Sequence, residues 1–146
     1  MAKSTTDNII DTGAEWYAKL PNLPKGGRDA LVSIMPWVAI IGGVVGVVLA
    51  IAGLGILTAF APLALMVDGG AGIGGGMVHA VILLAASVLL IMAYPGVKSH
   101  KEKGWRLLFW SEAVYLISAV ISFNLGSVLG SLIGFYIVYQ IRSYYK

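Results

Sequence analysis

The residue best suited to chemistry in this sequence is Glu112, the one carboxylate that lies inside a stretch apolar enough to cross a membrane. Ionisable side chains within a bilayer are costly and commonly mark functional sites. Hydroxyl groups at intervals of three and four residues share its predicted helix, and this spacing places them on one side. They belong to Ser111, Tyr115, Ser118 and Ser122. We therefore predict a proton or ion site made of Glu112, Tyr115, Ser118 and Ser122.

A structural role for Glu112 is the competing interpretation. In a straight helix it lies about 10 Å beyond Trp105, close enough to the predicted membrane surface for its side chain to lean toward water. It would then pair with Arg106, Arg142 or a lysine of the neighbouring loop. Such a pair would hold the fold together without taking part in transport.

Enzymatic chemistry is not expected from this chain. The sequence has no cysteine, which excludes thiolate metal sites and thiol nucleophiles. Its two histidines, His79 and His100, are predicted to lie on opposite sides of the membrane, which argues against a Ser-His-Asp triad. We expect His79 to be a capped or hydrated histidine near the outer end of its helix, too far from Glu112 to share a metal ion. The sequence thus predicts no catalytic residue, no metal site and no cofactor.

Residues Gly70 to Gly75 match the spacing G-x-G-x-x-G, which in dinucleotide-binding proteins lets the backbone approach a pyrophosphate. That motif needs a preceding strand, a following helix and an acidic residue about 20 positions later. The sequence offers neither the strand nor the acidic residue. We therefore expect a flexible loop that leads into a closely packed helix.

Small residues recur every four positions in two predicted spans, and this spacing lets helix backbones approach closely in lipid. The predicted helix-packing residues are Gly42, Gly46, Gly126, Gly130 and Gly134. Their neighbours would be helices of the same chain or of another subunit, and a pore lined by small residues is a third use. The spacing alone does not choose among them.

Composition places the chain in a membrane. Of its 146 residues 58% are hydrophobic and 12% are charged, with a mean hydropathy of +0.86, whereas soluble domains carry about 25% charged residues. At about 20 apolar residues per span there is room for four spans and no separate soluble domain. We expect an all-α, four-helix transmembrane bundle in the lipid bilayer. The charges form short clusters, so no nucleic-acid partner is predicted.

Residues 1–29 are predicted to form a cytoplasmic amphipathic helix, over Thr5 to Leu20, and a linker. Apolar side chains recur there every three or four positions, with acidic and basic ones on the opposite face. The helix would lie in the headgroup layer or pack on the cytoplasmic ends of its own bundle. Pro21 and Pro24 then end it.

The membrane domain, residues 30–146, begins with an uncharged run of 38 residues. One straight helix of that length would measure about 57 Å, against a hydrocarbon core of about 30 Å. We expect a break near Gly53, Gly55 or Pro62. A hairpin inside the run is the alternative, but it would export the later basic loop. The predicted order is a span at 33–55, a re-entrant or interfacial segment at 56–67, and an outer loop at 68–76.

Three further spans are predicted at 77–94, 105–123 and 128–142, the first of them ending at Pro95 and Gly96. Four cations lie in the loop between Lys98 and Arg106. Positive loops stay in the cytoplasm, so we expect both termini there as well. The pattern is typical of a multi-pass protein of a cell membrane, and the bacterial cytoplasmic membrane fits it.

Two functions are compatible with this sequence. The first is a non-enzymatic membrane protein that acts through helix-helix association, as a homo-oligomer or as an accessory subunit of a membrane complex. The alternative is a small transporter or channel that uses Glu112 and the polar face of the third span.

Overall fold

The computed structural model describes residues 4–146, which are helical throughout apart from short connections, so residues 1–3 of the predicted N-terminal segment lie outside it. Its helices are α1 Thr5–Tyr17, α2 Lys25–Asp68, α3 Ala71–Lys98, α4 Glu102–Ile121 and α5 Leu125–Gln140, followed by a short 3-10 turn at Arg142–Tyr144. The helices α2, α3 and α4, and α5 together with that turn, are long and apolar enough to cross a membrane. The predicted all-α, four-helix membrane bundle is confirmed.

Helix α2 is continuous over 44 residues, so the predicted break near Gly53, Gly55 or Pro62 is wrong, as is the hairpin alternative. A proline inside a helix removes one backbone hydrogen bond and bends the axis without having to end it. Support comes from α3, because the methyl groups of Leu57 lie close against Gly76. Residues 56–67 therefore form a helix paired with α3.

The outer loop predicted at 68–76 is also wrong, because only Gly69 and Gly70 lie between α2 and α3. Both have positive φ, 67° and 84°, a conformation that glycine adopts without strain. The Asp68 carboxylate accepts hydrogen bonds from the amides of Gly70, at 2.9 Å, and Gly72, at 3.1 Å. It thereby caps the first turn of α3, which gives the glycine-rich segment a reason to be helical.

The four long helices pack in chain order, α2 on α3, α3 on α4 and α4 on α5. We call the end that holds α1, the α3–α4 connection and the C-terminal residues the basic end. The far end holds the α2–α3 and α4–α5 turns. At the basic end α3 continues past Pro95 to Lys98, beyond its predicted stop. Helix α1, the cationic connection and the C-terminal residues share one end of the bundle, whereas the side of the membrane that this end faces stays a prediction.

Close approach between helices uses glycines that the sequence pattern only partly identified. Gly46 lies tightly against the Ser87 side chain, and the neighbouring Gly43 against the backbone of the same turn of α3. A Cβ built on Gly96 would lie 2.6 Å from the Cα of Gly104, so the backbones of α3 and α4 touch there. Glycines thus let α3 approach both α2 and α4 closely.

Helix α1 packs on the bundle, which is one of the two predicted placements. Ile10 is 2% exposed, and the Tyr139 hydroxyl donates to its carbonyl oxygen at 3.0 Å. The Tyr17 hydroxyl donates to the carbonyl of Leu132, also at 3.0 Å, so the end of α1 reaches the middle of α5. An ion pair of 2.9 Å between Arg106 and Asp7 ties the start of α1 to α4.

Acid is expected to weaken this docking slightly. A hydrogen bond from the Ser4 hydroxyl and the nearby Arg106 guanidinium lower the pKa of Asp7 below its usual 3.8, against the opposing effect of partial burial. A carboxylate with a lowered folded-state pKa contributes stability above its unfolded-state value, and this contribution is lost as the pH falls through the folded-state value. Thermal unfolding in detergent should show Asp7→Asn less stable than wild type at about pH 6, with a smaller difference near pH 2. A difference that is the same at both pH values would contradict this assignment.

Candidate functional site

A polar cavity of about 380 Å³ opens between α3, α4 and α5 in the half of the bundle toward the far end. Its walls carry hydroxyl, amide, imidazole and carboxylate groups among a few apolar side chains. The residues that line it are His79, Leu83, Glu112, Tyr115, Ser118, Ala119, Ser122, Asn124, Ser127, Gly130 and Ser131. All four residues of the predicted proton or ion site thus line one cavity.

Glu112 lies at the inner end of this cavity. Ser122 is ten residues further along α4, about 15 Å closer to the far end. The carboxylate rests against Gly134 of α5, where a Cβ would lie 2.6 Å from Oε2. Gly134 therefore makes room for the carboxylate. Its close contact is with the Glu112 side chain and not with the backbone of a neighbouring helix.

No cation pairs with Glu112 within residues 4–146. Arg106 binds Asp7 and Glu102, each at 2.9 Å, and Arg142 binds Asp11 at 3.2 Å. The two arginines proposed as structural partners are thus engaged elsewhere. The ion-pair interpretation of Glu112 is wrong for the described part of the chain, and the carboxylate faces the cavity instead.

His79 lines the same cavity as Glu112, although the sequence suggested only that the two residues lie far apart. Its Nδ1 lies 2.9 Å from the Ser118 hydroxyl, which joins α3 to α4. The imidazole itself is exposed. His79 and Glu112 therefore belong to one cavity, although no group of three potential metal ligands is found among residues 4–146.

The Tyr115 hydroxyl is held from the opposite side by α3 and α2. It lies 3.5 Å from the Ser87 hydroxyl, and 3.6 Å from the position that a Cβ on Gly46 would take. Ser111 does not line the cavity, because its hydroxyl is buried and donates to the Leu108 carbonyl at 3.1 Å. The polar face predicted for α4 is therefore narrower than its spacing suggested.

Aromatic rings close the path from Glu112 toward the basic end. Phe109, one turn before Glu112, packs edge-on against Phe135 with ring centroids 5.3 Å apart. Trp105 is 1% exposed and donates its indole N–H to the Val138 carbonyl at 2.7 Å. Tyr139 contacts both Trp105 and Phe109. The exposed lining residues Ser122, Asn124 and Ser127 lie toward the far end, whereas a packed aromatic layer lies between Glu112 and the basic end.

The remaining predicted packing glycines differ in their surroundings. A Cβ built on Gly42 would lie 3.9 Å from Leu90 Cδ1, an ordinary contact distance, whereas Gly46 is in close contact with α3. No atom lies within 4 Å of a Cβ built on Gly130, and only Asn124 of the adjoining turn lies close to Gly126. The α5 stripe therefore makes no close contact with another described helix at those two positions.

No protein-family model matches this chain, and no curated protein sequence or solved structure is significantly similar to it.

Proposed function

We propose that this chain is a small membrane transporter or channel in which Glu112 binds a proton or a small monovalent cation. The observation that carries the proposal is the polar cavity, which leads from the far end to this carboxylate. A charged group inside a membrane is expensive unless it pairs with another group or contacts water. Because Glu112 has no partner within residues 4–146, water in the cavity is what remains to solvate it.

The lining of the cavity suits a chain of water molecules. Hydroxyls and amides both donate and accept hydrogen bonds, so they solvate a proton or a cation at successive positions. Tyr115 and Ser118 of α4 and its C-cap Ser122 provide such groups on one side, and Ser127 of α5 and its N-cap Asn124 provide them opposite. A proton or cation would follow this route to Glu112.

Orientation follows from the charges in this proposal. The basic end, with Lys98, Lys101, Lys103 and Arg106, faces the cytoplasm by the positive-inside rule, and the cavity opens outward. The bacterial cytoplasmic membrane is the proposed location. The aromatic layer around Phe109 and Phe135 must then separate for passage, as in proteins that alternate between outward-open and inward-open states.

Replacing Glu112 with glutamine tests the proposal. The amide keeps the shape of the side chain and cannot carry the charge, so we expect flux to fall at least tenfold without loss of fold. The purified chain is placed in vesicles with a membrane potential, and internal pH and sodium are followed with dyes. Glu15→Gln, which removes an exposed carboxylate of α1, is the matched control and should keep wild-type flux.

Two results would overturn the proposal. One is wild-type flux no greater than that of protein-free vesicles for both ions. The other is full flux in Glu112→Gln, with Glu15→Gln behaving identically.

Association is the second candidate function, and the length of the α2–α3 hairpin favours it. His79 pairs with Ser118 near the end of α4, yet α3 begins eight residues earlier, about 12 Å further out. Large apolar side chains on this projecting part are exposed, among them Phe60 and Met66 at 60% and 85%. A second copy or another membrane subunit would cover them.

Light scattering of the detergent-solubilised protein, corrected for bound detergent, tests this candidate. If the projecting surface joins two copies, Phe60→Gln should lower the mass from that of an oligomer to that of a monomer. Phe123→Gln, at a still more exposed ring on the α4–α5 turn, is the control. A monomeric wild type would exclude the homo-oligomer and leave a heteromeric partner.

A further inference from the structure

A second polar cavity, of about 720 Å³, lies at the basic end between α1, the linker after it and the C-terminal residues. Its described lining contains three cations and one carboxylate. They are Arg28, Arg142, Lys146 and Glu102. The excess of positive charge makes the cavity suited to an anion.

The carboxylate in this lining is already neutralised. Glu102 accepts a hydrogen bond from Arg106 Nε at 3.0 Å, and Arg142 is fixed by Asp11 and lies over the Trp105 ring. Arg28 and Lys146 have no salt-bridge partner within residues 4–146. Two cations thus remain for a ligand in the cavity.

Two buried polar atoms beside the cavity also lack hydrogen-bond partners within the described residues. They are the hydroxyl oxygen of Tyr145 and the Nε of Arg28. Tyr145 is 4% exposed, and its ring is held by stacking on His100 with centroids 5.7 Å apart. Burying a donor without a partner is costly, so an acceptor at this place would remove a penalty that the unliganded protein carries.

We propose that this cavity binds a phosphate-bearing anion, either the headgroup of an anionic phospholipid or free phosphate. Guanidinium and ammonium groups donate only, and the oxygens of a phosphate accept several charge-assisted hydrogen bonds at once. Arg28 and Lys146 would contribute the charge, and the Tyr145 hydroxyl would donate to a phosphate oxygen.

An adjoining apolar groove favours the lipid as the source of the phosphate. It has a volume of about 570 Å³ and shares Tyr17 with the cationic cavity. From Tyr136 it follows α5 to Leu129, which lies eleven residues before Gln140, the last residue of α5, and about 16 Å from it along the helix axis. An acyl chain would fit along this groove while the headgroup occupies the basic end.

Native mass spectrometry of the full chain in detergent tests the proposal, with phosphatidylglycerol and phosphatidylcholine of equal chain length as probes. Titration calorimetry with inorganic phosphate forms the second arm. We expect the wild type to prefer phosphatidylglycerol, and Arg28→Gln with Lys146→Gln to bind it at least tenfold more weakly. Lys98→Gln with Lys103→Gln removes the same charge outside the cavity and should change binding less than twofold.

Tyr145→Phe separates a binding role from a structural one. Since the hydroxyl has no partner to lose, the unliganded variant should unfold at the same or a higher temperature than wild type. Its affinity for phosphatidylglycerol should nevertheless fall several-fold. Unchanged affinity in this variant would overturn the assignment of the hydroxyl as a ligand.

The two arms identify the source of the phosphate. Binding of phosphatidylglycerol alone assigns the cavity to a lipid headgroup, and binding of inorganic phosphate with the same sensitivity to Arg28 and Lys146 assigns it to free phosphate. Equal binding of both lipids, or equal losses in the two double variants, would overturn the proposal. Neither readout depends on flux, so it stands apart from the test of Glu112.

Discussion

Gly130→Leu is expected to abolish flux while leaving the fold and the mass of the protein unchanged. No atom lies within 4 Å of a Cβ at this position, and Gly130 lines the cavity between Ser127 and Ser131. A leucine side chain would therefore enter open space and replace water on the route to Glu112. We expect at least a tenfold loss in the vesicle assay, because an apolar plug cannot solvate a proton or a cation.

Gly126→Leu is the matched control. It lies one turn earlier on α5, makes no close contact with another described helix and does not line the cavity. It should keep flux near that of the wild type. If association through the α5 stripe is the function, both leucine variants should instead dissolve an oligomer. Full flux in Gly130→Leu with an unchanged mass would contradict the route through the cavity.

Gly104→Ala is expected to destabilise the protein by about 3 kcal/mol or to prevent folding, although alanine is the better helix former. A Cβ at this position would overlap the backbone of Gly96 and Val97 in α3. Backbone atoms cannot move aside as a flexible side chain can, so α3 and α4 must separate along their whole contact. Thermal unfolding in detergent measures the loss.

Gly53→Ala is the same chemical change, but we expect it to raise stability instead of lowering it. Nothing lies within 4 Å of a Cβ at Gly53 in the middle of α2. Alanine there removes backbone freedom from the unfolded chain, so stability should rise by up to about 1 kcal/mol. If both variants lowered stability equally, the close approach of α3 and α4 would not be the cause of the Gly104 effect.

Hydropathy sufficed to predict the bundle, because the apolar stretches are long enough to leave only helices as a solution in lipid. Hydropathy wrongly predicted a break in α2. That prediction compared the length of a single isolated helix with the thickness of the bilayer. The far part of α2 pairs with α3, as the contact of Leu57 with Gly76 shows. Sequence spacing does not report such pairing.

Part of the candidate site could be predicted from the sequence because of helix geometry. Tyr115, Ser118 and Ser122 share a face of one helix, and helical spacing suffices to place them together. Ser111 was grouped with them by the same spacing, but its hydroxyl turns to its own backbone. Spacing within a helix fixes the direction of a side chain only approximately.

The rest of the site depends on which helices are neighbours. His79 comes from α3, and Asn124 and Ser127 come from the start of α5. Nothing in their own segments distinguishes them from ordinary polar residues near a membrane surface. The cationic cavity was missed for the same reason, because Arg28, at the start of α2, and Tyr145, near the end of the chain, line one cavity only in the folded bundle. The only sequence signal for these cavity residues was that they are polar and lie near the ends of the spans.

The unequal lengths of the two hairpins also make the protein responsive to bilayer thickness. Helix α2, with 44 residues, is about 66 Å long, whereas α4, with 20 residues, is about 30 Å long and matches a typical hydrocarbon core. Lipid beside the α2–α3 hairpin must stretch, or the hairpin must tilt, and each ångström of mismatch costs a fraction of a kcal/mol. Since α3 forms one wall of the cavity and α4 another, a change of tilt alters the angle between those walls. We therefore expect a thicker membrane to hold the α2–α3 hairpin more upright.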